Sequence, residues 1–259
     1  PAGLSVAARL LSAFANSGRA GYFAGGLTSG YVTTVDKFQF ADESKSTLGT
    51  GLSAARGYLT AFADSGVAGY VAGGYNYSTV DKFVFTTDAR TTLSTGLTAA
   101  TYGPAGFANS GTAGYVAGGI GGGAYVTTVD KFAFSDDGKS TLGTGLSGAR
   151  SYTAAFADSG TAGYVSGGFN GGYLTTVDKF AFSDDGRTTL GTGLTAARYY
   201  SSAAADPGTA GYQYGGLDGS GYYSSVDKFA FSDDGRTALS IGLVLPRGYG
   251  AAMANAGVL

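Results

Sequence analysis

The four-residue sequence Val-Asp-Lys-Phe occurs five times in this chain of 259 residues, and no other feature restricts the fold as strongly. The copies begin at Val35, Val80, Val129, Val177 and Val226, at intervals of 45 to 49 residues. A period of this length indicates one supersecondary unit copied in series. Since a unit of about 48 residues buries too little surface to fold alone, we predict a single domain of five repeats over residues 1–259.

Each repeat contains four short segments typical of β-strands, separated by turn sequences. In the copy that opens at Arg150, the predicted strands are Ala154–Ala157, Ala162–Ser166, Leu174–Phe182 and Arg187–Leu190. Four such strands predict an antiparallel meander, and apolar residues on both faces of the third strand suit a sheet packed between two neighbours. The sequence therefore predicts an all-β fold, a five-bladed β-propeller with four antiparallel strands per blade. The Ala-rich segment 6–15 has a helical appearance, but it aligns with the later first strands and is predicted to be a strand.

The repeat resembles the Kelch family, in which an Arg opens the first strand and a Gly-Gly pair closes the second. The Gly-Gly pairs begin at Gly25, Gly73, Gly118, Gly167 and Gly215, and the opening arginines are Arg9, Arg56, Arg150, Arg198 and Arg247. Two features depart from the family: Thr101 replaces one Arg, and Leu stands where the family usually has Trp in the fourth strand. The resemblance implies the propeller fold and says little about activity.

The chain also looks like kelch-like proteins encoded by bacteriophages and aquatic bacteria. That resemblance favours a virion-associated or extracellular location over a cytoplasmic one, although residues 1–16 contain no recognisable signal peptide.

The first-strand sequence occurs six times, whereas the other three strand types occur five times each. Its copies lie near Phe14, Phe62, Phe107, Phe156, Ala204 and Met253. Propellers commonly close by combining strands from both termini, so we expect either the Phe14 or the Met253 strand to complete the blade that holds Val35. The surplus copy, at residues 248–259 if it is the last one, would be displaced, disordered or exchanged with a second chain in a homo-oligomer.

The composition excludes several classes of function. The chain has no Cys and no His, so it cannot form a Ser-His-Asp or Cys-His catalytic arrangement. Paired carboxylates remain possible, but most acidic residues lie in repeated turns or in the Val-Asp-Lys-Phe sequence. We predict no enzyme activity, no metal and no cofactor. Charges are nearly balanced, with 16 basic and 18 acidic residues, and no basic stripe or long apolar stretch predicts nucleic-acid binding or membrane insertion.

Two repeated acidic features are interpreted as structural. The Asp of each Val-Asp-Lys-Phe copy faces away from the adjacent Lys, so its expected partner is a repeated Arg such as Arg198. The turn Ser183-Asp184-Asp185-Gly186 and its copies place carboxylates side by side. They offer too few alternating ligands for a calcium loop and are predicted to be tight turns.

Two sets of residues are candidates for ligand binding. The variable loops that follow the Gly-Gly pairs are rich in Tyr, which gives rigid amphipathic contact area, although the same residues also make stable loops. The second set is the ring of opening arginines, which could bind an anionic sugar or acidic peptide or instead join the blades. The candidates are Tyr31, Tyr75, Tyr77, Tyr125, Tyr173 and Tyr222, together with Arg56, Arg150, Arg198 and Arg247.

The sequence thus favours a recognition module whose partner is a glycan or a protein receptor. The alternative is a structural protein that uses the propeller for protein contacts or assembly.

Overall fold

The protein is an all-β molecule in which four-stranded antiparallel sheets repeat along the chain. The computed structural model describes residues 3–251, and over this range it contains 23 strands and no helix. Consequently, the described range has no helix that could cross a membrane. The strands form five four-stranded sheets, here called units 1 to 5, and one small three-stranded sheet. The four-stranded sheets confirm the predicted antiparallel meander.

The strands follow the predicted order within each unit. Unit 1 contains β1 (Ser12–Asn16), β2 (Ala20–Ala24), β3 (Val35–Gln39) and β4 (Lys45–Thr47). Unit 2 contains β5 (Thr60–Asp64), β6 (Ala68–Ala72), β7 (Val80–Val84) and β8 (Ala89–Thr92). The next segment contains β9 (Thr101–Tyr102), β10 (Ala105–Asn109), β11 (Ala113–Ala117), β12 (Ile120–Gly121), β13 (Ala124–Tyr125), β14 (Val129–Ala133) and β15 (Lys139–Thr141). Of these, β10, β11, β14 and β15 form unit 3, and β9, β12 and β13 form the small sheet.

The last two units repeat the same pattern. Unit 4 contains β16 (Ala154–Asp158), β17 (Ala162–Ser166), β18 (Val177–Ala181) and β19 (Arg187–Thr189). Unit 5 contains β20 (Ser202–Asp206), β21 (Ala210–Tyr214), β22 (Val226–Ala230) and β23 (Arg236–Ala238). The third strand of unit 4 is shorter than predicted, since Leu174 and Thr175 turn their carbonyls away from the sheet. These carbonyls accept hydrogen bonds from Arg198 and Leu194 of the following segment, at 3.2 and 2.8 Å.

The structure shows which terminal copy of the first-strand sequence completes the sheet of unit 1. β1 contains Phe14 and pairs with β2, which pairs with β3 and its Val35. The Phe14 strand therefore completes this sheet, as one of the two predicted alternatives, and the Ala-rich segment does contain a strand. The other copy, near Met253, lies outside the described residues. Between residues 3 and 251, each sheet is built from one continuous segment, so none combines strands from both termini.

Neighbouring units pack face to face through an aromatic ring placed over a glycine. The ring of Phe14 in unit 1 lies against Gly69 in the second strand of unit 2, where a Cβ atom would be only 2.0 Å from it. The first strands β1, β5, β10, β16 and β20 contact one another in that order. Stacking of successive sheets around their first strands is consistent with a β-propeller.

The segment that joins two units bonds to both of them. Between units 1 and 2, Leu52 and Arg56 donate backbone hydrogen bonds to Thr33 and Val32 of unit 1, at 2.8 and 3.3 Å. Ser53 in the same segment donates its backbone N–H and its hydroxyl to Asp81 of unit 2, at 2.8 and 2.9 Å. The repeated Asp thus fixes the position of each sheet against the preceding one.

Candidate functional site

Six equivalent residues, one before each first-strand copy, meet at one end of the stack. All six have a positive φ, between 52° and 68°, and a backbone hydrogen bond of 2.7 to 3.1 Å joins each to the next. A left-handed conformation is unfavourable for residues other than Gly, so the surrounding contacts must hold it in place. We call this set the tyrosine mouth: Leu10, Tyr58, Gly103, Tyr152, Tyr200 and Tyr249.

The tyrosine mouth encloses a small cavity of about 100 Å³. The rings of Tyr152 and Tyr200 stack with centroids 4.3 Å apart, and Tyr249 lies 4.2 Å from Tyr200. Burial is the main cause that raises the pKa of Tyr152 to about 12, with a further contribution from nearby tyrosines. Burial, with the neighbouring Tyr152, also raises the pKa of Tyr200. These hydroxyl groups are therefore neutral at physiological pH and can both donate and accept hydrogen bonds.

The aromatic surface extends from the mouth in two directions. On one side, Tyr102 lies 6.0 Å from Tyr58 and 5.3 Å from Tyr75, which in turn lies 6.3 Å from Tyr31. On the other side, Tyr199 contacts Tyr200 at 4.7 Å. From Tyr199 the contacts continue through Tyr173 and Phe169 to Tyr125, at centroid distances of 5.3 to 6.1 Å. These contacts form one continuous group of rings.

The structure brings most of the predicted tyrosines to this surface. Tyr31, Tyr125, Tyr173 and Tyr222 each form a backbone bridge to the residue that follows the Gly-Gly pair of their own unit. Tyr222 is 53% exposed and packs beside Gly248, next to the mouth. Of the remaining two, Tyr75 joins the ring network described above.

Tyr77 has a different role from the other candidate tyrosines. Its ring lies under the guanidinium group of Arg56, 5.9 Å away, and Tyr223 covers Arg198 in the same way at 5.7 Å. These two tyrosines are therefore placed to cover buried charges and do not belong to the continuous aromatic surface.

Three of the four candidate arginines are buried inside their units. Arg56, Arg150 and Arg198 are at most 1% exposed and bond to Asp81, Asp178 and Asp227, at 2.9, 2.8 and 2.5 Å. The predicted pairing of the repeated Asp with a repeated Arg is confirmed in units 2, 4 and 5. It is wrong in units 1 and 3, where Asp36 and Asp130 bond to hydroxyl groups instead. These guanidinium groups do not reach the surface, so they are not available to a ligand there; Arg247 is exposed.

The paired carboxylates are held in the charged form by their surroundings. Burial alone would raise the pKa of Asp178, but the Thr189 hydroxyl, the Arg150 charge and Ser147 together lower it. Asp81 is balanced in the same way, since hydrogen bonds from Thr92 and Ser53 and the charge of Arg56 outweigh its burial and lower its pKa. These acids are fully engaged in structural contacts.

The acidic turns are also engaged, and their role is more specific than the sequence indicated. In the turn of unit 4, Asp184 accepts a hydrogen bond from the backbone of Gly186 at 2.9 Å. Asp185 has a φ of 56° and binds Lys131 and Tyr115 of unit 3, at 2.7 and 2.8 Å. Within residues 3–251, no group of three or more acidic residues could hold a metal ion.

Sequence reasoning missed Tyr102, Tyr199 and Phe169 as members of the aromatic surface. Tyr102 and Tyr199 directly precede mouth residues, and Phe169 follows a Gly-Gly pair. The repeat alignment offered a signal for each of them. Phe169 stands at the same repeat position as the candidate Tyr75, and Tyr102 and Tyr199 directly follow the positions of opening arginines. The chain as a whole matches no protein-family model, and no curated protein is significantly similar to it. Its function must therefore be inferred from this surface.

Proposed function

We propose that the chain is a non-enzymatic recognition module that binds a glycan or a surface receptor through the tyrosine mouth and the aromatic residues around it. In this proposal, units 1 to 5 are the five blades of a Kelch-like β-propeller, with the sixth position of the tyrosine mouth between units 5 and 1. The continuous group of tyrosine rings is the observation that supports it. A virion-associated or extracellular location would suit such a module.

The chemistry of the surface favours a sugar among the candidate ligands. Tyrosine rings offer large rigid faces at low entropic cost, and flat faces suit stacking against sugar rings. Tyr173 and Tyr222 are 38% and 53% exposed, so a ligand can reach both. With neutral hydroxyl groups and three of the arginines buried, the surface suits uncharged hydroxyl-rich ligands better than anionic ones.

A glycan array with the intact protein, followed by substitution of the exposed rings, tests this proposal. We expect Tyr173→Ala and Tyr222→Ala each to weaken binding by about tenfold or more, as for a central aromatic contact. Tyr173→Phe should retain most of the binding if stacking dominates. Val67→Ala is the control, because Val67 is 52% exposed in the turn between β5 and β6. An array without signal, or equal binding by all variants, would refute the glycan proposal.

The second candidate function is assembly through protein contacts, and one specific observation favours it. Ile241, Val244 and Leu245 are 80%, 93% and 65% exposed. At the corresponding positions, the earlier linkers carry Thr, Ser, Ala or Gly. Exposed apolar clusters mark interaction surfaces. An array without signal together with a discrete oligomer in light scattering would support assembly over glycan recognition.

A further inference from the structure

The four junctions between successive units share one charged contact. In each, a Lys and a Tyr of one unit bind the same Asp in the last turn of the next unit. The Lys–Asp distances are 2.7 to 2.8 Å and the Tyr–Asp distances 2.7 to 3.0 Å. The carboxylates that accept these bonds are Asp88, Asp137, Asp185 and Asp234. This arrangement defines a junction with a donor face and an acceptor face.

An aromatic contact accompanies the charged one at every junction. Phe85 of unit 2 stacks on Tyr22 of unit 1 with the centroids 5.4 Å apart. The same contact recurs at 5.3 to 5.6 Å in the other three junctions. Phe85 is only 6% exposed, and its counterparts Phe134, Phe182 and Phe231 are partly buried, so each junction covers an aromatic ring beside the ion pair.

Unit 5 presents the Lys and Tyr of a donor face, and the described part of the chain supplies no acceptor for them. Tyr212 and Lys228 occupy the same register positions as Tyr164 and Lys179 of unit 4. Among the residues from 3 to 251, neither Tyr212 nor Lys228 has a carboxylate partner. Tyr212 is half-buried, whereas Tyr164 is 1% exposed. We call this donor face open because residues 3–251 supply no acceptor for it.

Unit 1 presents the matching acceptor face, and residues 3–251 likewise supply no Lys or Tyr donor for it. Glu43 stands in its last turn with a φ of 55°, close to the 58° of Asp234. Phe40 occupies the position of Phe85 but is 41% exposed. The two open faces thus carry the groups of the charged contact, with opposite charges on Lys228 and Glu43, whereas Ala204 of unit 5 stands where the other junctions place a Phe over a Gly.

Within one chain, the two open faces are not adjacent, because Tyr249, the sixth residue of the tyrosine mouth, lies between units 5 and 1. Tyr249 bonds to Tyr200 of unit 5 at 3.1 Å and continues the ladder beyond it. The first strands β20 and β1 share no contact comparable to those between successive units. In the described part of the chain, therefore, Lys228 and Glu43 do not meet.

We propose that the donor face of unit 5 docks on the acceptor face of unit 1 in a second copy of this chain. Lys228 and Tyr212 of one copy bind Glu43 of the other, and Phe40 of the second copy stacks on Tyr212 of the first. The contact joins two different surfaces, so it is head-to-tail and leaves one open face at each end of the assembly. Its charge pair makes the association sensitive to salt. This surface is separate from the proposed glycan surface.

Two charge-reversal variants test the proposal because each destroys a different face. Lys228→Glu leaves the acceptor face intact, and Glu43→Lys leaves the donor face intact. We expect the unchanged protein to grow in mass with concentration in light scattering, and each variant alone to associate at least about tenfold more weakly. An equimolar mixture should associate again, because Lys228 of one variant meets Glu43 of the other and the two reversed charges also attract each other.

Asp136→Lys is the control, since Asp136 lies in an equivalent exposed turn of unit 3. It should leave association unchanged, and circular dichroism should show that all variants are folded. A protein that stays monomeric at every concentration, or a mixture that stays monomeric, overturns the proposal. So does a result in which the double charge swap restores thermal stability without association, because that would place the Lys228–Glu43 pair within one chain.

Discussion

At the scale of single residues, the buried Arg–Asp pairs carry the largest energetic consequences. Asp178 accepts bonds from Arg150, Ser147 and Thr189, and both charged side chains are at most 1% exposed. Removing one partner of such a pair leaves a buried charge without compensation. Unit 3 has Thr101 in place of the Arg, and there Asp130 bonds to Thr98 and Thr141. Hydroxyl donors can therefore keep the Asp in place in that unit without the Arg.

We predict that Arg150→Ala lowers the free energy of unfolding by about 3 kcal/mol. The remaining bonds to Asp178 keep the loss near the low end of the range for buried pairs. Urea unfolding followed by circular dichroism measures it. Arg187→Ala is the matched control, because Arg187 lies 3.6 Å from the other oxygen of Asp178 but is 26% exposed, so it should cost less than about 1 kcal/mol. Equal losses for both variants would contradict this account of burial.

At the scale of strands and turns, much of the sequence-based prediction was confirmed, since period-two alternation and turn residues act locally. The strand Ala162–Ser166 has the bounds predicted for it. Contacts between units could not be predicted, because they depend on how one sheet packs on the next. The link from Lys131 to Asp185, 54 residues away, is one such contact. The tyrosine mouth likewise forms only when six distant segments meet.

The ring-over-glycine contact gives a prediction for an element. In unit 4, a Cβ on Gly163 would stand 2.1 Å from the ring of Phe107 in unit 3. Because Phe107 is only 4% exposed and has no room to retreat, we expect Gly163→Ala to destabilise the fold by about 3 kcal/mol. Thermal unfolding against Gly143→Ala measures the difference, since a Cβ on Gly143 would meet nothing within 4 Å. A Gly163→Ala protein as stable as the control would show that the two sheets can separate at little cost.

At the scale of the whole molecule, the units are alike in hydrogen bonding but not in burial. In unit 4, β16 alternates buried and half-buried residues, whereas β20 of unit 5 has no buried residue. Both strands pair over five residues with the second strand of their own sheet. Unit 5 also has Ala204 at the position where units 1 to 4 have Phe. Its first strand is therefore held by the same ladder but by much less packing.

This difference predicts where the molecule opens first. Hydrogen exchange of backbone amides reports local opening, which is governed by the burial and packing around a strand. We expect amides of β20 to exchange at least about tenfold faster than those of β16, equivalent to about 1.4 kcal/mol. Exchange followed by mass spectrometry of proteolytic peptides resolves the two strands. Since their ladders are equal, a difference would come from packing between units, and equal protection would mean that unit 5 is covered as completely as unit 4.

If the head-to-tail contact forms, protection of Lys228 and its neighbours in β22 should rise with protein concentration while that of β18 stays constant.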